Sequence, residues 1–590
     1  MRPPFLQYLY LQKPVTTVLI VCALSVLPWI GLGDFATKGE PREAAVAVSM
    51  IESGNWILPE VYADEFAYKP PLAHWLMAAF SLPRGYVSEF TARLPSALSY
   101  IVLMGMTLFF FGRRMKLQEA FIGVLLLFTC VEIHRAGTTA RVDMLLTALI
   151  VSGLYALYRW EDSRELKGLP FAIPFLLGSA VLTKGPVGIV LPLFVFGVYL
   201  LLLGRYRKLI VFKALLYAGV SSLFLPLIWY VSAWRQGGDA FLDVALAENF
   251  GRFFHIDQWK AHYELGHENG LWYNFATLLA GFAPWTLLFV FSLFGMPLRK
   301  PSRPIGAIPK ALWQQFRSME KLKQFSLVAL VCILFFYSIP HSKRSVYLMP
   351  AYPFIALFLA QYTLYITQYR AKAIRLFTVF LAAAVSVALA VSGLTMAGVT
   401  DPVAWASRFT DRTSTLLAVE AATRMFSSPD GLTMAILAVV SAALITVFYQ
   451  MFRKIHMKML YAAIFLVFAT QLLIDGVAMR GVRNGTSSRP FAERIRKEYP
   501  VDTENMYVMN NLKEYSNLYG LNFYLKNHFH NFEAEQPEAG YFFAAERDME
   551  QVAGRYGDTY TFIPLASSEK EVGEVRQKIR FYRFARHQDR

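Results

Sequence analysis

Long apolar segments alternate with short polar segments along the chain, up to about residue 479. A membrane-spanning helix needs about 20 mostly apolar residues. By this measure the pattern predicts thirteen spans, at about 14–33, 94–112, 117–133, 142–158, 169–184, 186–204, 209–232, 271–296, 325–340, 345–368, 376–398, 432–452 and 459–479. The third, fourth, fifth and ninth are short, so their ends are the least well defined. The first is long and no small-residue cleavage site follows it, which favours a span over a cleaved signal peptide.

The basic residues between these spans fall on one side when the N-terminus is placed inside. The segments that then face the cytoplasm are 113–116, 159–167, 205–208, 297–324, 370–375 and 453–458, and each carries Lys or Arg. Cytoplasmic loops of membrane proteins have this basic bias. Because the number of spans is odd, the C-terminal tail is predicted to lie outside the cytoplasmic (inner) membrane, facing the periplasm.

The segments on the outer side are longer and differ in kind. They are the loops 34–93, 233–270 and 399–431, together with the tail 480–590. The first loop holds two helical stretches, at 41–53 and 72–80, which are expected to lie in the membrane interface as amphipathic helices. The tail is polar, with short alternating aromatic stretches, and is long enough for a core of its own. We therefore predict two domains, a multi-span α-helical membrane domain at 1–479 and a small extracytoplasmic α/β domain at 480–590.

The composition agrees with a membrane protein and argues against a soluble, disulfide-rich or nucleic-acid-binding protein. Of the 590 residues, 55% are hydrophobic and 17% charged, against roughly 45–50% and about 25% in soluble domains. The three Cys residues all lie in apolar stretches, which argues against a disulfide framework. The net charge of +16 is largely explained by the cytoplasmic loops, so no nucleic-acid partner is predicted.

Two carboxylates in the outer segments are candidates for chemistry. Glu40 stands with Arg42 at the start of the helical stretch 41–53, and Asp143 opens an apolar span. Either carboxylate could simply cap a helix, and we weigh this alternative as equal to a functional role. Ionisable residues at membrane depth, however, usually face an internal cavity, and carboxylates can accept a proton from a hydroxyl.

Several cations lie on the same predicted side as the two carboxylates. Lys184 interrupts an apolar run, although it could also extend to the interface, and Ser342–Ser345 form a dense basic hairpin beside His341. Arginine and lysine both suit phosphate. We predict that a lipid phosphate binds at the outer membrane surface, with a site formed by Arg42, Lys69, Lys184, Lys343, Arg344 and Tyr347.

The motifs in this order resemble the GT-C superfamily of polyprenyl-phosphate-sugar glycosyltransferases (families 39 and 83), in the branch of the lipid A aminoarabinose transferases and protein O-mannosyltransferases. The resemblance covers about residues 14–360. It rests on Glu40 with Arg42, Ser53–Pro59, Lys69-Pro70-Pro71, Arg141 with Asp143, Leu182–Pro186, Glu248-Asn249 with Arg252-Phe253, Pro284-Trp285, and Ser342-Lys343 with Tyr347 and Pro350. It implies a GT-C fold of about thirteen spans with an outward tail.

Two departures from the family pattern affect the site. The family usually carries Asp-Glu in the first loop, with the Asp as catalytic base, where this chain has Gly39-Glu40. Glu40 is expected to take that role because the register to Arg42 is kept, and Asp34 is the alternative. The family's aminoarabinose branch often has Glu-Lys-Pro, whose Glu helps to bind a metal in some relatives, where this chain has Tyr68-Lys69-Pro70. No metal or other cofactor is predicted, although His262, His267 and His341 remain candidate ligands.

The resemblance implies an inverting transfer of a sugar from a polyprenyl phosphate to an acceptor hydroxyl. Glu40 would accept the proton or orient the acceptor, and the cations would neutralise the leaving phosphate. The acceptor could be lipid A, another glycolipid, a glycan or a protein, as in a protein O-glycosyltransferase or glycan ligase. A multi-span lipid flippase or transporter is the alternative from another class, and the absence of an internal repeat counts against it.

Overall fold

The computed structural model describes residues 12–248, except 64 and 68, and residues 269–587, except 271, 295–307, 341 and 511–513. In the first part the helices are α1 (Pro14–Val26), α2 (Gly39–Ser53), α3 (Leu72–Ser81), α4 (Glu89–Gly112), α5 (Leu117–Phe128), α6 (Val131–Gly137), α7 (Val142–Arg164), α8 (Ala172–Lys184), α9 (Val187–Leu203), α10 (Lys208–Ser222) and α11 (Phe224–Leu246). Next come α12 (Tyr273–Gly281), α13 (Trp285–Leu293), α14 (Ile308–Ser318), α15 (Lys321–Ser338), a 3₁₀ helix (Ser345–Ala351), α16 (Tyr352–Tyr369), α17 (Ala371–Met396), α18 (Pro402–Ala406), α19 (Thr413–Ser427), α20 (Gly431–Arg453), α21 (His456–Leu473), a π-helical turn (Ile474–Ala478) and α22 (Met479–Gly485).

Each of the thirteen predicted spans corresponds to helical structure, but not all the helices have full spanning length. Among the described residues, seven helical segments are long and apolar enough to cross a membrane, and three further candidates are pairs bent by 67°, 44° and 104°, namely α5 with α6, α10 with α11, and α12 with α13. The remaining three predicted spans are the shorter apolar helices α1, α8 and α9. By length and composition the described residues thus contain seven to ten candidate spans, and shorter apolar helices occupy the other three predicted positions.

Aromatic side chains fill the centre of the helical bundle. The Phe110 ring stacks on the Tyr155 ring at 4.0 Å between centroids, so α4 is joined to α7. Tyr158 packs on Phe325 at 4.9 Å, which joins α7 to α15. These contacts belong to one large apolar core. The outward faces of α17 and α20 keep large apolar side chains exposed, which is the surface expected of helices that contact lipid.

The two helical stretches of the first loop pack against each other, and their place in the membrane interface stays a prediction. Helix α2 buries most of its residues, and Ala44, Ala47 and Met50 pack with Met77 of α3 in one apolar cluster. Gly54, in the left-handed conformation at φ 70°, ends α2. A short antiparallel pair, β1 (Glu60–Val61) with β2 (Glu65–Phe66), follows it. The loop is thus a packed layer on the end of the bundle.

The C-terminal part forms a small α/β domain, as the sequence predicted. Its helices are α23 (Arg489–Glu498), α24 (Tyr519–Tyr524), α25 (Phe532–Glu535) and α26 (Asp548–Tyr556), and its strands are β3 (Met506–Val508), β4 (His530–Asn531), β5 (Ala539–Ala545), β6 (Tyr560–Ser567) and β7 (Ile579–Arg586). The strand order is β4-β3-β5-β7-β6, parallel around β3 and antiparallel around β7. The last candidate span continues to Gly485, and α23 of this domain follows at Arg489.

This C-terminal domain rests on the first loop. The Tyr524 hydroxyl accepts a hydrogen bond from the Phe35 backbone N–H at 2.8 Å and donates one to Glu89 at 2.9 Å. The Tyr62 ring packs against the Tyr519 ring at 4.7 Å between centroids. Arg489 donates to the Asp34 carboxylate at 3.2 Å. The domain therefore covers α2 and stabilises the layer that carries the candidate site.

Candidate functional site

Glu40, the predicted catalytic base, lies in a buried ion pair. Arg93, from the first turns of α4, donates from Nε to Glu40 Oε1 at 2.8 Å and from Nη2 to Oε2 at 3.2 Å. The Ala140 backbone N–H also donates to Oε1, at 2.9 Å. Burial by itself would raise the pKa of Glu40, but Arg93, with Arg483 and the Ala140 N–H, outweighs it and lowers the pKa below its usual value. Both oxygens are engaged by buried partners, which argues against proton transfer at Glu40.

A second carboxylate, Glu43, lies one turn further along α2 and gathers two of the predicted cations. Lys69 Nζ donates to Glu43 Oε1 at 2.5 Å, and Arg42 Nη2 donates to the same oxygen at 3.3 Å. His74 Nε2, from α3, is 2.8 Å from Oε2. Burial would raise the pKa of Glu43, but Lys69, His74 and Arg42 together hold it well below its usual value. Glu43 is therefore an ionised carboxylate surrounded by positive charge.

Lys69 has a perturbed amine at the centre of this cluster. Burial, and then the neighbouring charge of Arg42, lower the pKa of Lys69 to about 8, although Glu43 acts in the opposite direction. Its side chain remains 31% exposed and that of Arg42 39%, whereas that of Arg93 is 0% exposed. The two cations on Glu43 are thus accessible to a ligand, unlike the arginine that holds Glu40.

Asp143 forms the second predicted cluster, at the start of α7. Lys184, the last residue of α8, pairs with the Asp143 carboxylate. The Lys184 ammonium lies 4.6 Å from the centre of the Tyr347 ring, and Tyr347 stacks on Tyr337 at 5.4 Å. Three residues predicted from separate parts of the sequence therefore meet in one place.

The Glu43 and Asp143 clusters lie at the same end of the bundle. The two carboxylates are within electrostatic range of each other, and so are Asp143 and Arg141. Arg141 also passes over α2 at Gly39, where an added Cβ would lie 1.8 Å from Arg141 Nη2. Because the Arg141 guanidinium fills this space, position 39 has no room for a side chain in the present arrangement.

The remaining predicted site residues lie elsewhere or have other contacts. Lys343 is buried, and its ammonium donates to the Asn269 backbone oxygen at 3.1 Å instead of joining either cluster. Arg344 is half-buried and directly precedes the 3₁₀ helix that carries Tyr347. Asp34, the alternative base, pairs with Arg489 of the C-terminal domain.

Three candidate metal ligands and most of one motif fall outside the described residues. These are His262, His267 and His341, with Asn249, Arg252 and Phe253. Within the described ranges no group of three or more His, Cys, Asp or Glu side chains could hold a metal ion. The neighbours of Glu43 include two cations, an arrangement that does not fit a metal.

Sequence reasoning did not single out Glu43, His74 or Arg93. Arg93 precedes the predicted start of its span at 94, so the hydropathy pattern places it in the loop. His74 lies in an apolar stretch, where a buried His gives no distinct signal. Glu43 lies four residues after Gly39, so both positions are on one face of a helix. This spacing is the sequence signal that could have indicated Glu43 as a site residue.

Comparisons with known proteins agree with this architecture. Residues 68–234 match the family model described as dolichyl-phosphate-mannose-protein mannosyltransferase. The chain is 25% identical over 346 residues to the undecaprenyl phosphate-alpha-4-amino-4-deoxy-L-arabinose arabinosyl transferase of Erwinia tasmaniensis, a region that is 57% of each chain. It is 25% identical over 370 residues to the protein of the same name from Shewanella sediminis, covering 61% of this chain and 62% of that one. The chain thus spans a little over half the length of the curated relatives it matches.

The fold match extends over nearly the whole molecule. The structure of ArnT from Cupriavidus metallidurans bound to undecaprenyl phosphate superposes with a TM-score of 0.68 at 16% identity, covering 96% of this chain and 97% of that one. The fold is that of a multi-pass membrane protein. The chain therefore has the same fold as that protein, and the curated relatives that resemble it in sequence include arabinosyl transferases.

Proposed function

We propose that the protein is an integral membrane glycosyltransferase that moves a sugar from a polyprenyl-phosphate donor to an acceptor on the outer face of the cytoplasmic membrane. The observation that carries this proposal is the pair of carboxylate–cation clusters, Glu43 with Lys69 and Asp143 with Lys184, at one end of the bundle. The likeness to arabinosyl transferases that are named for an undecaprenyl phosphate substrate supports it.

The reaction would be an inverting single displacement. The acceptor hydroxyl oxygen forms a bond to the anomeric carbon while the bond from that carbon to the phosphate oxygen breaks. The bonding electrons leave with the polyprenyl phosphate, and the hydroxyl proton passes to a carboxylate. Because negative charge grows on the phosphate, cations fixed around it lower the barrier.

The cations that would neutralise the phosphate belong to two clusters. Arg42 and Lys69 have exposed portions and can contact a phosphate at the membrane surface. Lys184 is also partly exposed, at 30%, and lies above the Tyr347 ring. We propose that these three residues bind the phosphate and that fixed protein charge serves where some relatives use a metal ion. Lys343 and Arg344 directly precede the 3₁₀ helix that carries Tyr347, and we propose that they support phosphate binding from there.

The acceptor is a lipid, a glycan or a protein with a free hydroxyl at the outer surface. Lipid A is the acceptor that the resemblance favours, and the C-terminal domain is proposed to face the periplasm beside the site. A protein or glycan acceptor would change the molecule that is decorated, but not the donor chemistry.

Mass spectrometry of envelope lipids and glycans from a deletion strain tests this function. We expect a polyprenyl-phosphate sugar to accumulate and one decorated lipid, glycan or protein to lose its sugar. Re-expression of the parent chain should reverse both changes. Unchanged lipid and glycan profiles would contradict the proposed function.

The phosphate site has a direct test of its own. Arg42→Ala and Lys69→Ala each remove a hydrogen bond to a charged group, worth about 1.5–3 kcal/mol, so undecaprenyl phosphate binding should weaken about 10- to 150-fold. Titration of undecaprenyl phosphate into the purified full chain in nanodiscs measures this. Glu60→Gln, a change in an exposed side chain of the same loop, is the control. Unaltered affinity in both alanine variants would remove these residues from the site.

A further inference from the structure

We infer that Glu43 is the carboxylate that accepts the acceptor's proton, and that Arg42 and Lys69 neutralise it until the donor phosphate draws them away. This inference rests on the proposed function and names the base for it. It also gives a reason why the two cations and the carboxylate are in contact.

The other carboxylates near the site are less suited to this role. Glu40 receives hydrogen bonds on both oxygens from groups that are buried, Arg93 and the Ala140 N–H. Asp34 is tied to the C-terminal domain through Arg489. Asp143 pairs with Lys184 beside the Tyr347 ring, and within the described part of the chain no second hydrogen bond orients its carboxylate.

Glu43 differs from these residues because its two oxygens have different environments. Oε2 is held by His74, whose side chain is only 1% exposed, so this contact is fixed. Oε1 faces Lys69 and Arg42, whose side chains reach solvent. One oxygen therefore orients the carboxylate, and the other is covered by partners that can move.

A bound phosphate competes with Glu43 for these two cations. Arginine offers a planar fork that matches phosphate, and lysine a flexible point charge. When the donor is bound, Arg42 and Lys69 turn toward its phosphate, and Glu43 loses the positive charge that holds its proton affinity down. The carboxylate becomes a stronger base at the moment when a hydroxyl has to be deprotonated. In the free protein it stays neutralised.

The register of α2 is consistent with this assignment. Position 39, where the resemblance implies an Asp, is Gly here, and the Arg141 guanidinium occupies the space beside it. Residues four apart on a helix lie on the same face, so Glu43 presents a carboxylate on the same face as position 39, one turn later. The longer Glu side chain extends its reach by one methylene relative to Asp.

The decisive variant is Glu43→Gln, which keeps the shape of the side chain and removes its charge. Two measurements are made on the full chain in nanodiscs. The first is the dissociation constant of undecaprenyl phosphate. The second is the rate of transfer when the protein is added to membrane vesicles of the deletion strain, which contain accumulated donor and undecorated acceptor.

We expect Glu43→Gln to bind undecaprenyl phosphate about 2- to 5-fold more tightly, because two cations lose a competing ion-pair partner. Transfer should fall about 10²- to 10⁴-fold, the usual contribution of a general base. Glu60→Gln should match the parent in both measurements. Transfer within 100-fold of the parent overturns Glu43 as the base, and equal or weaker binding overturns the neutralisation by Arg42 and Lys69.

A second variant covers the case in which Glu43→Gln fails to fold. Glu43→Asp keeps the charge and withdraws the carboxylate by one methylene, so it should bind undecaprenyl phosphate like the parent while transfer falls at least 10-fold. Parent-like transfer in Glu43→Asp overturns the inference. A parent chain that neither binds undecaprenyl phosphate nor transfers sugar would instead contradict the proposed function, so the two failures can be told apart.

Discussion

At the scale of single residues, the site is defined by which charged groups are buried with their partner and which can reach solvent. The Glu40–Arg93 pair is fully enclosed, whereas the cations on Glu43 are partly exposed. A buried ion pair maintains a structure, because separating it leaves an uncompensated charge. An exposed cation beside a carboxylate can exchange that partner for a ligand.

The first residue-scale prediction concerns Glu40. Glu40→Gln leaves the buried Arg93 guanidinium without a counter-charge, which should destabilise the protein by about 3–5 kcal/mol. Thermal unfolding of the purified chain in detergent measures this, with Glu60→Gln as the matched control. If Glu40→Gln instead melts with the parent but transfers no sugar, Glu40 acts in the chemistry, as the sequence suggested.

A second prediction follows from the pKa of Lys69, which is about 8. Lys69 is charged below that pH and becomes neutral above it, so affinity for undecaprenyl phosphate should fall as the pH rises from 7 to 9. Lys69→Arg, which stays charged throughout, should remove the fall. The dissociation constant measured at several pH values tests this. A parallel fall in the parent and in Lys69→Arg would assign the pH dependence to another group.

At the scale of helices, α8 and α9 form a tight hairpin that positions Lys184. A Cβ added at Gly188 would lie 2.4 Å from the Ala180 carbonyl carbon and from the Val181 backbone nitrogen. The two helices can approach this closely only because residue 188 has no side chain. Lys184 ends α8 just before the turn, so the packing of the hairpin fixes where its ammonium lies.

Gly188→Ala should therefore separate α8 from α9. Overpacking of this kind is expected to cost about 1–3 kcal/mol, and transfer should drop because Lys184 shifts from Asp143. Melting temperature and transfer rate are measured together. Gly393→Ala in α17, where an added Cβ meets open space, is the control and should be neutral. Equal behaviour of the two variants would show that the hairpin tolerates the extra methyl group.

The sequence predicts the positions of the helices better than it predicts their bends and their contacts with distant segments. The length of the apolar segments alone predicts helical structure at each of the thirteen predicted spans. It does so because the backbone polar groups of a span must form hydrogen bonds within the protein. Breaks such as the 104° bend between α12 and α13 depend on local packing and were not predictable from hydropathy. Phe523 and Tyr524 of the C-terminal domain pack in the apolar cluster of helix α2, a contact that hydropathy does not predict. These two aromatic residues lie far from α2 in the sequence.

The same limit applies to the site. Lys184 and Asp143 were predicted as site residues because charges beside apolar spans are rare. Glu43 and Arg93 follow ordinary loop patterns, and only their pairing across the fold distinguishes them. Lys343 looked equivalent to the other cations in sequence, but its ammonium is turned toward the Asn269 backbone oxygen.

At the scale of the whole molecule, orientation in the membrane decides which substrates can reach the site. The basic loops predict that the region around residue 310 is cytoplasmic and that the C-terminal domain is periplasmic. Alkaline phosphatase and fluorescent protein fusions at residue 310 and after residue 590 should report opposite compartments. The same compartment for both fusions would overturn this topology.

The contact between the first loop and the C-terminal domain also sets the order in which the protein can be completed. Asp34 and Arg489, which pair in the folded chain, are separated by 455 residues. At a synthesis rate of about 5–20 residues per second, roughly 20–90 s pass between the synthesis of the first loop and that of its partner. During that interval α2, with Glu40 and Glu43, lacks its cover. The layer that carries the candidate site is thus completed only after the C-terminal domain has been made, and a chain that stops before residue 489 lacks the partner of Asp34.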